Sequence, residues 1–171
     1  ELDTSPGSTF YKNAGKSLRI GLEAMTVYRP MKGIKTSLSY TYSDFKFTEF
    51  DDDGVDQSGH FIPGIPEHHF AATLDAYSQS KWFARGEVEY ASAFFVNNEN
   101  TIKNDAYTTS QFSIGREGIV GVFRWSVFFG LKNLFDSKYQ ANTRINASSS
   151  RFFEPAPSLN AYGGMSLVYH H

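Results

Sequence analysis

The residues best equipped for chemistry gather in a few short stretches of the chain. Asp51-Asp52-Asp53-Gly54-Val55-Asp56 sets carboxylates at close spacing around a glycine turn, the kind of loop that can hold Ca²⁺. It lacks the later bidentate glutamate of an EF-hand, and acidic loop tips are usually just solvated, so no metal site is assigned. His60, His68 and His69 are candidate ligands for haem iron or a metal ion. His68 and His69 are adjacent at the start of a strand, so they leave on opposite faces and cannot share one ion. Histidines at an interface are the preferred reading. Serine is abundant, yet no Gly-x-Ser-x-Gly elbow and no phosphate-cradling glycine loop occurs. Cysteine is absent, which removes thiol nucleophiles and thiolate metal sites. No catalytic residue emerges, and the chain is not expected to be an enzyme.

The elements that carry these residues are strands. Aromatics make up 16% of the 171 residues, with 16 Phe and 10 Tyr, while the mean hydropathy is negative. A sheet showing lipid one face and water the other, with rings at the interfaces, has that composition. A net charge of −2 gives no field for nucleic acid. No apolar run approaches the roughly 18 residues of a membrane helix, which leaves a membrane barrel open. Glu1 to Ser8 lacks the basic-then-apolar layout of a signal peptide, so a leader is expected to precede it.

Period-2 alternation dominates. Leu18, Ile20, Leu22, Ala24, Thr26 and Tyr28 oppose Arg19, Gly21, Glu23, Met25 and Val27. Similar runs follow over 34–43, 70–76, 82–90, 107–115, 124–132 and 161–169. The reading is an all-β, antiparallel up-and-down meander of about seven or eight strands, the eighth a short one near Ser8 to Asn13. Connections alternate in length. Arg29 to Gly33, Ser78 to Lys81 and Glu117 to Gly121 are short; Thr48 to Glu67, Phe95 to Ala106 and Asp136 to Asn160 are long. Outer-membrane barrels show this alternation, with tight periplasmic turns and long extracellular loops, which places the C-terminus in the periplasm. Such single-chain barrels have even strand counts, so seven strands point to a segment of a transmembrane β-barrel.

Several stretches then resemble the TonB-dependent outer-membrane receptors. They are Phe10-Tyr11-Lys12-Asn13-Ala14-Gly15-Lys16 leading into Arg19-Ile20-Gly21-Leu22-Glu23, and Ser39 to Phe47 followed by Ile62-Pro63-Gly64-Ile65-Pro66-Glu67-His68. Asn133-Leu134-Phe135-Asp136 with Lys138-Tyr139, Arg151 to Pro157, and the closing Tyr162 to Tyr169 complete the set. The resemblance implies a plugged barrel of about 22 strands and TonB-energised import of a ferric siderophore, haem or similar cargo, with no resident cofactor. The chain carries no plug and no TonB box, so residues 1–171 are expected to be the C-terminal part of such a barrel, unable to transport alone. The expected partners are outer-membrane lipid and lipopolysaccharide, the plug and TonB of the parent, and the barrel-assembly machinery, which would read the aromatic last strand. His170 and His171 overrun that strand as a tag remnant or a native extension.

The resemblance also assigns candidate ligand contacts. Ferric siderophores are commonly anionic and often aromatic, which suits Arg144, Arg151 and Phe152 in the longest loop, with His60 in the first. Pairing of the arginines with Asp136, Glu154 or lipopolysaccharide phosphate is the plainer alternative. Arg19, Glu23, Lys35, Arg85, Glu87, Glu89, Arg124 and Lys132 are expected to form charge ladders on the inner face. Trp82, Tyr90, Trp125, Tyr162 and Tyr169 are expected at the membrane interface. Two other readings remain, a small outer-membrane barrel enzyme of phospholipase or protease type, and a passive small barrel.

Overall fold

The computed structural model describes residues 15–147 and 151–169. In chain order the strands are β1 (Lys16–Met31), β2 (Ile34–Glu49), β3 (Asp51–Asp52), β4 (Val55–Asp56), β5 (His68–Tyr77), β6 (Trp82–Ala91), β7 (Phe94–Phe95), β8 (Lys103–Asn104), β9 (Tyr107–Val120), β10 (Phe123–Lys132), β11 (Gln140–Thr143), β12 (Phe153–Pro155) and β13 (Asn160–Tyr169). Seven of them form one antiparallel sheet in the order β1-β2-β5-β6-β9-β10-β13, and the sheet does not close on itself. The remaining six form three two-stranded ribbons, one inside each long connection. The meander is therefore as the alternation predicts. The strand expected near 8–13 lies outside the described residues, as do His170 and His171.

Two turns are tighter than their sequences imply. β1 runs through Arg29 to Met31, leaving Lys32 and Gly33 to reverse the chain. Gly33 has φ +85°, a left-handed conformation that a Cβ disfavours, and its carbonyl accepts the Tyr77 amide at 2.7 Å. Glu117 to Val120, expected as turn, is ladder. Glu117 N–H donates to Lys81 O at 3.1 Å, and Ile119 pairs with Arg124. The Gly118 within it serves packing, because the Trp125 indole lies across the space a Cβ would need.

Register sorts the side chains onto two faces. One carries Leu18, Ile20 and Leu22, then Leu74, Phe112, Phe129, Met165 and Leu167, all substantially exposed, with Met165 at 83%. The buried apolar residues among those described are only Phe47, Ala91, Val96 and Phe152, at or beyond the long-connection end. Among the described residues nothing covers this apolar face, and an exposed patch of this kind marks a surface for membrane or another protein.

The other face is polar and braced. Lys35, Asp75 and Arg85 stand side by side on β2, β5 and β6, with Arg85 Nη1 3.2 Å from Asp75 and Lys35 Nζ 3.9 Å from it. Arg85 also pairs with Glu87. One row across β6, β9, β10 and β13 reads Phe83, Gly115, Phe128, Gly164. Each ring lies against bare glycine backbone on a neighbouring strand, an arrangement that compensates glycine's lack of cross-strand packing.

Candidate functional site

The three long connections meet at one end of the sheet and interlock. Asparagine does most of the joining. Asn98 Nδ2 donates to Asp52 Oδ2 at 2.7 Å, its backbone N–H donates to Asn146 Oδ1 at 2.9 Å, and its own Oδ1 accepts Asn146 Nδ2 at 3.0 Å. Asn146 N–H in turn donates to Val96 O at 2.9 Å. Asn100 copies a backbone pairing with its side chain, accepting the Phe61 amide at 2.7 Å and donating to the Phe61 carbonyl at 3.0 Å. Asn100 and Asn146 have φ of +54° and +50°, a region asparagine tolerates better than most residues. The side chain that locks the loops also permits their backbone turns.

His60 belongs to this network. Its Nδ1 is 2.8 Å from Gln57 Oε1 and 3.0 Å from the Asn98 carbonyl. A carbonyl only accepts, so Nδ1 carries the proton and a neutral ring keeps Nε2 as its acceptor. Gln57 is almost wholly buried, which makes that nitrogen structural. Phe152 is also buried and, with Asp52, Asn97, Asn98, Glu99, Asn146 and Ala147, lines a polar recess of about 310 Å³.

The arginines behave differently. Arg144 pairs with Glu154 across the β11–β12 ribbon, and Asn142 Nδ2 donates to the same carboxylate at 3.3 Å. Arg151, two residues before β12, is exposed. Thus the structure draws His60 and Phe152 to the Asn98 cluster, engages Arg144 with a carboxylate, and leaves Arg151 open to solvent. The hydrogen bond from Asn142, then Arg144, holds the Glu154 carboxyl below its ordinary value of 4.5. A lowered folded value contributes stability above the ordinary value, and that is lost as pH falls through the folded one. Amide exchange over 140–147 and 151–155, corrected for intrinsic rates, is therefore expected to accelerate as pH falls below that ordinary value. Glu154→Gln should be nearly insensitive to pH over that range.

The histidines of β5 leave on opposite faces. His68 Nδ1 lies 2.9 Å from the Tyr40 hydroxyl, whereas His69 Nε2 lies 2.8 Å from Glu89. Asp51 Oδ1 accepts the Gly54 amide at 2.8 Å, and Asp56 accepts both Ser58 donors, so these carboxylates shape their own turn. Among the described residues, no three histidine or carboxylate side chains gather as a metal would require. Of the aromatics expected at the rim, Trp82, Trp125 and Tyr169 share the apolar face. Tyr162 does not. It is paired with Gly130, lies across it on the polar face, and has Lys132 Nζ 5.3 Å from its ring.

The Asn98 network was missed by sequence reasoning, although Asn97-Asn98-Glu99-Asn100 is the densest amide run in the chain. In the Asn133-Leu134-Phe135-Asp136 stretch, the buried Asn133 donates to Ser137 O at 2.9 Å and Asp136 accepts the Leu159 amide at 2.9 Å. That stretch pins both ends of the longest connection.

Short turns at one end, interlocked loops at the other and an uncovered apolar face define part of the wall of a large up-and-down β-barrel. The family described as TonB dependent receptor-like, beta-barrel, matches residues 1–134, and the chain belongs to that family. Solved structures share its fold. The unliganded ferric citrate transporter FecA superposes with a TM-score of 0.75 at 18% identity, over 90% of this chain and 25% of that one. BauA, the ferric preacinetobactin receptor of Acinetobacter baumannii, gives 0.73 at 17% over 88% and 22%. The ferric yersiniabactin uptake receptor FyuA of Yersinia pestis gives 0.65 at 18% over 92% and 24%. The chain spans about a quarter of the length of these structures.

Proposed function

We propose that this chain is a barrel segment of an outer-membrane receptor that binds a ferric siderophore or similar iron chelate and imports it with energy supplied through TonB. The observation that carries the reading is the joining of the three long connections into one cap above a wall whose apolar face none of the described residues covers. In this reading the apolar face meets outer-membrane lipid and lipopolysaccharide, and the long connections face outward. The short turns and the end of β13 then lie on the periplasmic side, where the barrel-assembly machinery would engage the last strand. The plug and TonB act in the whole receptor, and no catalytic step is involved. Family membership and the named cargo of the structural neighbours support the cargo class.

Arg151 is an exposed cation of the cap that forms no ion pair among the described residues, and it is our candidate contact for an anionic chelate. A charge-assisted hydrogen bond contributes about 1.5–3 kcal/mol. Arg151→Ala in the whole receptor is therefore expected to weaken chelate binding about 10- to 100-fold, read by quenching of intrinsic fluorescence during titration. Arg144→Ala, whose partner is already Glu154, should weaken it less. Unchanged affinity for a panel of anionic ferric chelates in both variants would remove the loops from the binding site.

A further inference from the structure

Near the short-turn end of the apolar face, one row across β6, β9, β10 and β13 reads Trp82, Arg116, Val127, Met165. Arg116 is a full charge in an otherwise apolar row, and it is exposed. Its guanidinium carbon lies 5.5 Å from the centre of the Trp82 ring. Trp82 is the first residue of β6, so the charge sits level with the Ser78–Lys81 turn although Arg116 is four residues inside the end of β9. On the same face two residues further along β9, the Trp125 indole lies across Gly118, with Nε1 2.8 Å from where a Cβ would stand. Two indoles therefore flank one guanidinium.

Among the described residues no carboxylate forms an ion pair with Arg116. The adjacent Glu117 leaves on the polar face, where its carboxylate accepts the Tyr77 hydroxyl at 2.7 Å. Lys81 and Arg124, the nearby cations, also belong to the polar side, Lys81 lying over the Tyr77 ring and Arg124 being on the opposite parity of β10. A guanidinium on a lipid-directed face calls for an anion that arrives with the lipid. Its forked donors match phosphate oxygens, and indoles settle at headgroup depth.

We propose that Arg116, framed by Trp82 and Trp125, binds the phosphodiester of an anionic phospholipid at headgroup level on the short-turn side of the wall. The proposal rests on the reading that the apolar face is turned to lipid. Trp82 supplies its own reporter, since the chain has two tryptophans and Trp125→Phe leaves only that one. The full chain carrying Trp125→Phe is refolded into vesicles containing bromine-labelled phosphatidylglycerol or bromine-labelled phosphatidylcholine, and Trp82 fluorescence is read against the labelled fraction. The phosphatidylglycerol is expected to quench with an apparent relative binding constant about fivefold higher, the size of one basic residue at an anionic surface. Arg116→Gln should bring the ratio to about one, Arg116→Lys should keep part of it, and Lys81→Gln should leave it unchanged. The Trp82→Phe background, with Trp125 as reporter, repeats the measurement if the first variant folds poorly. Equal quenching by the two lipids in the Arg116 protein, or a preference that survives Arg116→Gln, overturns the proposal while the membrane reading stands. Loss of the preference on adding inorganic phosphate also overturns it, by showing a site for free anion. Absence of quenching by either lipid in protein of native far-ultraviolet spectrum rejects the membrane reading itself.

Discussion

Replacing Asn98 with leucine is expected to release all three long connections together. The substitution leaves the backbone bonds to Asn146 Oδ1 and His60 available but strips the side-chain bonds to Asp52 and Asn146. Of the two partners that then lose their mates, the half-buried Asp52 costs about 1–3 kcal/mol, while the exposed Asn146 side chain turns to water. Amide exchange at Phe61, Gly64 and Asn146, each of which donates to another loop, should rise by about 30-fold or more, since each 1.4 kcal/mol is tenfold. The sheet should be indifferent, because its ladder does not include these residues, and the urea midpoint in detergent should move little. Acceleration confined to 97–102 would show that the loops are independent. Asn146→Ala and the double variant complete a cycle whose coupling energy measures the shared pair.

Gly115→Ala attacks the wall instead of the cap. A methyl there would stand 2.5 Å from the Val127 carbonyl oxygen and within the Phe83 ring. Overpacking of this kind costs about 1–3 kcal/mol, and the carbonyl belongs to ladder backbone that cannot swing aside. The expected result is a lower urea midpoint with unchanged loop exchange, the mirror image of the Asn98 variant. Adding Phe83→Ala should recover only part of the loss, since it frees the ring space and leaves the carbonyl contact. A midpoint equal to that of the unaltered protein would mean that β9 and β10 can part locally at little cost.

The sheet was legible because its signal is redundant. Every strand repeats the same two-residue period, and an error in one run is corrected by its neighbours. Strand ends were less clear where glycine had another use: Gly118 suggests a turn beside Gly121, yet it is there to receive Trp125. Tyr162, expected at the membrane interface, stands apart from the other rings. It lies near a strand end, and its pairing with Gly130 puts the ring on the polar face. The cap was the least legible part. Its bonds join residues as far apart in the chain as Val96 and Asn146, or Asn98 and Asn146, and no periodicity announces such a pair. His60 and Phe152 stand out in the sequence by their chemistry, whereas the amides around them do not.

The order of the sheet carries a consequence for assembly. Each of the seven strands runs opposite to its neighbour, so the outermost two, β1 and β13, point the same way. Joining them directly would create a single parallel seam in an otherwise antiparallel cylinder. Completing the ring with antiparallel pairs throughout takes an odd number of further strands between them. A second copy meets the same rule: β13 of one copy laid beside β1 of another in the same orientation is parallel, whereas two-fold partners join like edge to like edge. Direction alone thus separates a wall extended by other strands from a pair of sheets related by a two-fold axis.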